Sequence, residues 1–185
     1  MKCLLLFFFI VDEVGTKENK DVLIHSGKWL WFRPEVMMAL SHRRGGFLDW
    51  YTKDTGRVSC APDCSVHFGV NSLGLVNVYA KDIAMLPDWQ QQIWVGFNIS
   101  PDGGVSKELL ASQVHANPSS TKAPEAFLYE GLNMLNKASS EKLGIDIYKN
   151  HEFIPELMKK IHRFRAFNEE GLFALAKDIA RVTAD

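Results

Sequence analysis

The sequence predicts an α+β protein: an amino-terminal antiparallel β-sheet, laid out as a meander with one helix, followed by a carboxy-terminal bundle of about five helices packing on it. Three observations carry this. Segments of four to six residues separated by turn formers run from Phe47 to Ala80. Apolar residues at helical spacing dominate after Asp82. Of the 21 aromatic residues, 14 precede position 98, including all five Trp, which puts the heaviest packing in the sheet and the first helix laid on it. The expected division is a β-rich part at 1–82 and a helical part at 83–185, together one compact unit or a fragment of a larger protein.

Composition bounds the class. The 185 residues are 46% apolar and 23% charged, close to globular averages, which disfavours disorder, collagen-like repeats, a disulfide scaffold and a multi-span membrane protein. Net charge is -1. Residues 1–80 hold nine basic and eight acidic side chains and residues 81–185 twelve and fourteen, so neither part is an electrostatic specialist for nucleic acid or anionic lipid. The cysteines are Cys3, Cys60 and Cys64, an odd and small number that points to a reducing compartment, the cytoplasm.

The apolar run from Cys3 to Val11 has the length of a signal-peptide core, but Asp12-Glu13-Val14-Gly15 offers no cleavage site. It is also too short to span a bilayer, which needs about 20 apolar residues. It reads as a strand buried on both faces. Thr16 to Asp21 is polar and reads as a surface loop. Trp29 to Phe32 makes an aromatic strand that Pro34 stops, and Pro34 opens a helix toward Arg44 that Gly45-Gly46 ends.

Four strands follow. Phe47–Thr52 turns through Lys53-Asp54-Thr55-Gly56 into Arg57–Cys60, Ala61-Pro62-Asp63 leads to Ser65–Val70, and Asn71-Ser72-Leu73-Gly74 leads to Leu75–Ala80. Pro87 then opens a helix from Asp88 to Phe97 with Trp89, Ile93, Trp94 and Phe97 on one face. Asn98 to Gly104 reads as a loop; its Asn98-Ile99-Ser100 sequon is followed by Pro101. Ser106 caps the next helix. Pro124 begins a longer one with Phe127, Leu128, Leu132 and Leu135 inward and Gly144 as terminator. Asn150 or His151 starts a helix bearing Phe153, Ile154, Leu157, Ile161 and Phe164. Asn168 caps the last, whose apolar face includes Leu172, Phe173, Ile179 and Val182.

Several side-chain groups invite a functional reading. Cys60-x3-Cys64-x2-His67 has metal-ligating atoms, yet a structural zinc site needs four ligands and no second Cys/His pair stands at suitable spacing. The plainer account is a hairpin with incidental cysteines, or a cross-strand disulfide under oxidising conditions. Cys64 with His67 as nucleophile and base is a hydrolase alternative. His42-Arg43-Arg44 and Lys159-Lys160-Ile161-His162-Arg163-Phe164-Arg165 are basic clusters at helix ends, where the macrodipole alone accounts for them. If they meet in space, Arg43, Arg44, Arg163 and Arg165 would hold phosphates while Trp50 or Tyr51 stacks on bases. No GxSxG, Walker loop, GxGxxG, HExxH or paired CxxC occurs, and no cofactor is implied.

The leading expectation is therefore a soluble module acting by protein association, as an accessory subunit or a domain of a larger protein. Its motives are the lack of a catalytic signature and the apolar segments at both extremities. Nucleic-acid or phosphate binding through the arginines is the alternative, and a hydrolase or metal enzyme the second. A protein partner or further chain is expected, nucleic acid is allowed, and no membrane partner is expected.

Overall fold

The computed structural model describes residues 7–117, 121–147, 152, 154–163 and 168–183. In chain order the elements are β1 (Phe8–Ile10), β2 (Lys17–Asn19), α1 (Lys20–Ser26), β3 (Trp29–Phe32), α2 (Glu35–Ser41), β4 (Phe47–Trp50), β5 (Thr55–Ser59), β6 (Ser65–Val70) and β7 (Val76–Tyr79). They continue with α3 (Ala80–Ala84), α4 (Asp88–Val95), β8 (Asn98–Ile99), α5 (Lys107–Gln113), α6 (Pro124–Leu143), α7 (Ile154–Arg163) and α8 (Glu169–Thr183). The architecture is α+β, in two compact units of residues 1–121 and 122–185.

The first unit is built on a six-stranded antiparallel sheet in the order β4-β5-β6-β7-β3-β8. Its first four strands are the meander that the turn signals announce. The aromatic strand β3 pairs with β7, Leu30 opposite Val78, and short β8 closes the edge beside it. Strand alternation then sorts the side chains. Leu30, Phe32, Val58, Val66, Phe68, Val76 and Val78 are buried in one core with Val36, Leu40, Ile83 and Trp94 from the helices. Phe32 and Trp94 meet edge to face, centroids 4.7 Å apart, worth about 1 kcal/mol beyond the area buried. Gly56 keeps β5 bare where two rings cross: a Cβ there would lie 2.9 Å from Phe68 Cζ. Trp50 and Phe68 therefore meet at 5.0 Å.

Two amino-terminal expectations are corrected. β1 pairs with polar β2 in a separate two-stranded ribbon, so it is not a strand buried on both faces. Phe9 is buried against Phe32, centroids 6.4 Å apart, while Phe8 on the other face is about half exposed. Residues 1–6 of the apolar run lie outside the described residues. The polar segment at 16–21 is not a loop: it forms β2 and opens α1. Asn19 Oδ1 accepts from the Val22 N–H at 3.2 Å, and Gly27 closes the helix at φ +64°. Only Leu23 of α1 is fully buried, so composition hid the helix.

On α4, Trp94 is buried as expected, but Trp89 points outward and is 48% exposed. Gln90 and Gln91 take the inner positions. Gln91 Nε2 donates to the carbonyls of Ala84 and Leu86 at 3.2 and 2.7 Å, satisfying the end of α3 with a side-chain amide.

In the second unit, Pro124 opens α6 and Gly144 ends it at φ +69°. Asn168 Oδ1 caps α8 through the Gly171 N–H at 2.8 Å. α7 packs with both α6 and α8, around Ile154, Leu157, Met158 and Val182, with Tyr129, Leu132 and Ile161 partly buried. The inward face expected for α6 is overturned: Phe127, Leu128 and Leu135 are exposed, and only Leu132 of that set joins the core. On α8, likewise, Val182 is buried but Leu172, Phe173 and Ile179 are exposed. The expected helix start at Asn150 or His151, and Phe153 and Phe164, lie outside the described residues. No described helix is long and apolar enough to cross a membrane.

Candidate functional site

The second unit leaves several large apolar side chains of α6 and α8 exposed outside its own core. At 100° per residue, Glu125, Tyr129, Leu132, Asn136 and Ser139 fall on one side of α6, and Glu125 and Ser139 there are buried. Phe127, Leu128, Gly131, Met134, Leu135 and Ala138 fall in a neighbouring arc of about 120°. Met134 is 74% exposed and Phe127 51%. α8 repeats the pattern: Leu175, Asp178 and Val182 face inward or partly so, while Leu172, Phe173 and Ile179 stand outward, Phe173 at 64% exposure. Each Å² of such surface left wet forgoes about 25 cal/mol of burial energy.

The arginines expected to bind phosphate belong to different units. Arg43 and Arg44 are exposed in the turn after α2. Arg163 ends α7 in the other unit, its side chain outside the described residues together with Arg165. Trp50 is half-buried, edge-on to Phe68 and packed against the core. Arg43 instead lines a groove of about 590 Å³ with Ala39, Trp89, Ile93 and Phe97. Beside it, the Arg33 guanidinium lies 5.5 Å from the Phe97 ring centroid and donates to the Gly96 carbonyl at 3.0 Å. Trp89 was missed as a surface residue because it stands four residues before Ile93, at helical spacing.

Cys60 and Cys64 are free thiols. Cys60 is buried and Cys64 packs against the same core, whereas His67 is exposed and bonded through Nδ1 to Gln113 Nε2 at 3.0 Å. Among the described residues no three His, Cys, Asp or Glu side chains are placed to hold a metal ion.

His67 instead borders a pocket of about 260 Å³ with Tyr51, Phe68, Glu108, Leu109 and Gln113. Gly69 creates it by letting α5 lie close to the sheet: a Cβ there would sit 2.6 Å from Ser106 Cβ and 2.8 Å from Leu109 Cβ. Thr121 Oγ1 donates to Glu108 Oε1 at 2.6 Å, and Thr52 Oγ1 donates to the other carboxylate oxygen. The Tyr51 ring stands edge-on to His67, centroids 5.8 Å apart. Burial pushes the Asp82 carboxyl up, opposed by the positive charges of His67 and Lys81. A glycine inside a strand, Gly69, was the sequence signal for this close approach.

No family model, curated protein or solved structure matches the chain.

Proposed function

We infer that this chain works by association, as an accessory subunit or a domain of a larger protein, and that its helical unit joins a second copy through α6 and α8. The observation behind this is the outward apolar stripe of α6, exposed while Glu125 and Ser139 are buried together with Leu132 and Tyr129 on the inner side. Two features favour a second copy as the occupant. The stripes from Phe127 to Leu135 and from Leu172 to Ile179 have matching lengths of about 12 and 10 Å at 1.5 Å per residue, so a two-fold pairing sets α6 of each copy against α8 of the other. Residues 122–185 carry ten basic and ten acidic side chains, so no net charge repels the pairing. The free thiols fit a reducing, cytoplasmic setting.

Sedimentation of the intact chain from micromolar to hundreds of micromolar concentration tests this. The expected mass approaches twice 20.9 kDa, and Met134→Glu with Leu135→Glu returns it to the monomer. A wild-type chain that stays monomeric throughout overturns the reading.

A second reading has the Arg43 groove behind it. A guanidinium beside an exposed indole suits the phosphate and base of single-stranded nucleic acid, with stacking worth about 1–3 kcal/mol per base. Oligothymidylate titrated at several salt concentrations checks it. The expected affinity falls with salt and drops roughly tenfold in Trp89→Ala and in Arg43→Ala with Arg44→Ala. Affinity indifferent to salt and to these changes removes it.

A further inference from the structure

We propose that Cys60 and Cys64 form a reversible oxidation site, closing to an intramolecular disulfide by exchange with a low-molecular-weight disulfide. The geometry comes from strand register. Ser59 faces Ser65 in the last pair of the β5–β6 ladder, and Cys60 and Cys64 are the next residues on the turn side of that pair, flanking Ala61-Pro62-Asp63. Facing residues of an antiparallel pair have Cα atoms about 4.5–5.5 Å apart, and one step beyond the Ser59–Ser65 pair the turn holds Cys60 and Cys64 near the about 4.4–6.8 Å that a disulfide spans. Both side chains pack against the same core cluster as Val58 and Val66.

The turn is already held in this shape. Ser59 Oγ accepts from the Ala61 N–H at 3.0 Å and donates to the Cys64 carbonyl at 2.5 Å, and the Cys64 N–H reaches the Ala61 carbonyl at 3.5 Å. Pro62 is wedged under the α2 turn, where a Cβ on Gly45 would lie 3.1 Å from Pro62 Cδ. Oxidation therefore joins two ends of a fixed turn.

Exposure assigns the order of events. Cys60 is 3% exposed, whereas Cys64 reaches the surface in part. Burial pushes the Cys60 thiol up, and the nearby Arg43 charge pulls against that. The Cys64 thiolate attacks one sulfur of the external disulfide, whose S–S bond breaks to release one thiolate, which takes up a proton. The Cys60 thiolate then attacks Cys64 Sγ and expels the second thiol. The two protein thiols are oxidised, one external disulfide is reduced to two thiols, and Cys60 needs no access to solvent.

Glutathione disulfide added to the intact protein, followed by mass spectrometry and peptide mapping, tests the site. The wild type should lose two thiols and yield a peptide linking Cys60 to Cys64, reversed by dithiothreitol. Cys60→Ser should stop at a mixed disulfide on Cys64, and Cys64→Ser should react roughly tenfold more slowly. Wild-type thiols that stay unreacted, a link from either residue to Cys3 or to a second chain, or a Cys64→Ser variant as fast as wild type each overturn the proposal.

Discussion

The carboxamide of Asn98 sits on the backbone of Ile10: Oδ1 accepts from its N–H at 2.5 Å and Nδ2 donates to its carbonyl at 3.4 Å. The same Nδ2 donates to the Trp31 carbonyl at 3.1 Å. One side chain thus continues the ladder from edge strand β8 to the β1–β2 ribbon, an edge where backbone groups otherwise lack partners. It also accounts for the sequon at Asn98, whose amide is committed to internal bonds.

Replacing Asn98 by Ala leaves the Ile10 N–H without its acceptor in a half-buried setting. The expected loss is about 1–3 kcal/mol of stability, read as a lower urea midpoint with an unchanged slope. An unchanged midpoint would show that water replaces the amide without cost.

Gly69→Ala places a Cβ against Ser106 and Leu109, whose own Cβ atoms have no room to rotate away. We expect about 1–3 kcal/mol of destabilisation as α5 moves off the sheet, together with loss of the His67–Gln113 hydrogen bond, seen as a changed imidazole nitrogen shift. Full stability in this variant contradicts the close approach.

Asp82 gives a pH dependence with a defined sign. Its pKa is raised by burial in the folded chain above the ordinary 3.8. The folded state then binds more protons, so its contribution is fully present below pH 3.8 and lost as pH rises through the folded value. Asp82→Asn should therefore be more stable than wild type at pH 7, with the difference shrinking on acidification and vanishing below the ordinary value. Chemical denaturation at a series of pH values reads this directly; a variant less stable at neutral pH reverses the sign.

How far the sequence announces these features depends on where each is encoded. Turn chemistry and caps are local, so the meander, the Ser106 and Asn168 caps and the Gly144 terminator were all readable. Helix α1 carried the same kind of signal in Asn19 and Gly27, but its single buried Leu23 gave no periodicity to support them. Periodicity finds an apolar stripe without saying which way it faces: Trp89 and the Phe127–Leu135 stripe have helical spacing yet stand outward, because Gln91 bonding and the α7 contacts decide the inner side. Long-range juxtapositions such as Asn98 on Ile10, or His67 beside Gln113, depend on a register that no short window of sequence contains. That Cys60 and Cys64 flank a single turn was readable because the spacing is local.

The association of α6 with α8 across two copies is tested most directly by isotope-filtered NMR on an equal mixture of methyl-labelled and unlabelled chains. The account predicts intermolecular contacts from the methyls of Leu128 and Leu135 to Leu172, Phe173 and Ile179 of the other copy. Methyls on these stripes that show only contacts within their own chain, at concentrations where the protein is fully soluble, would contradict it.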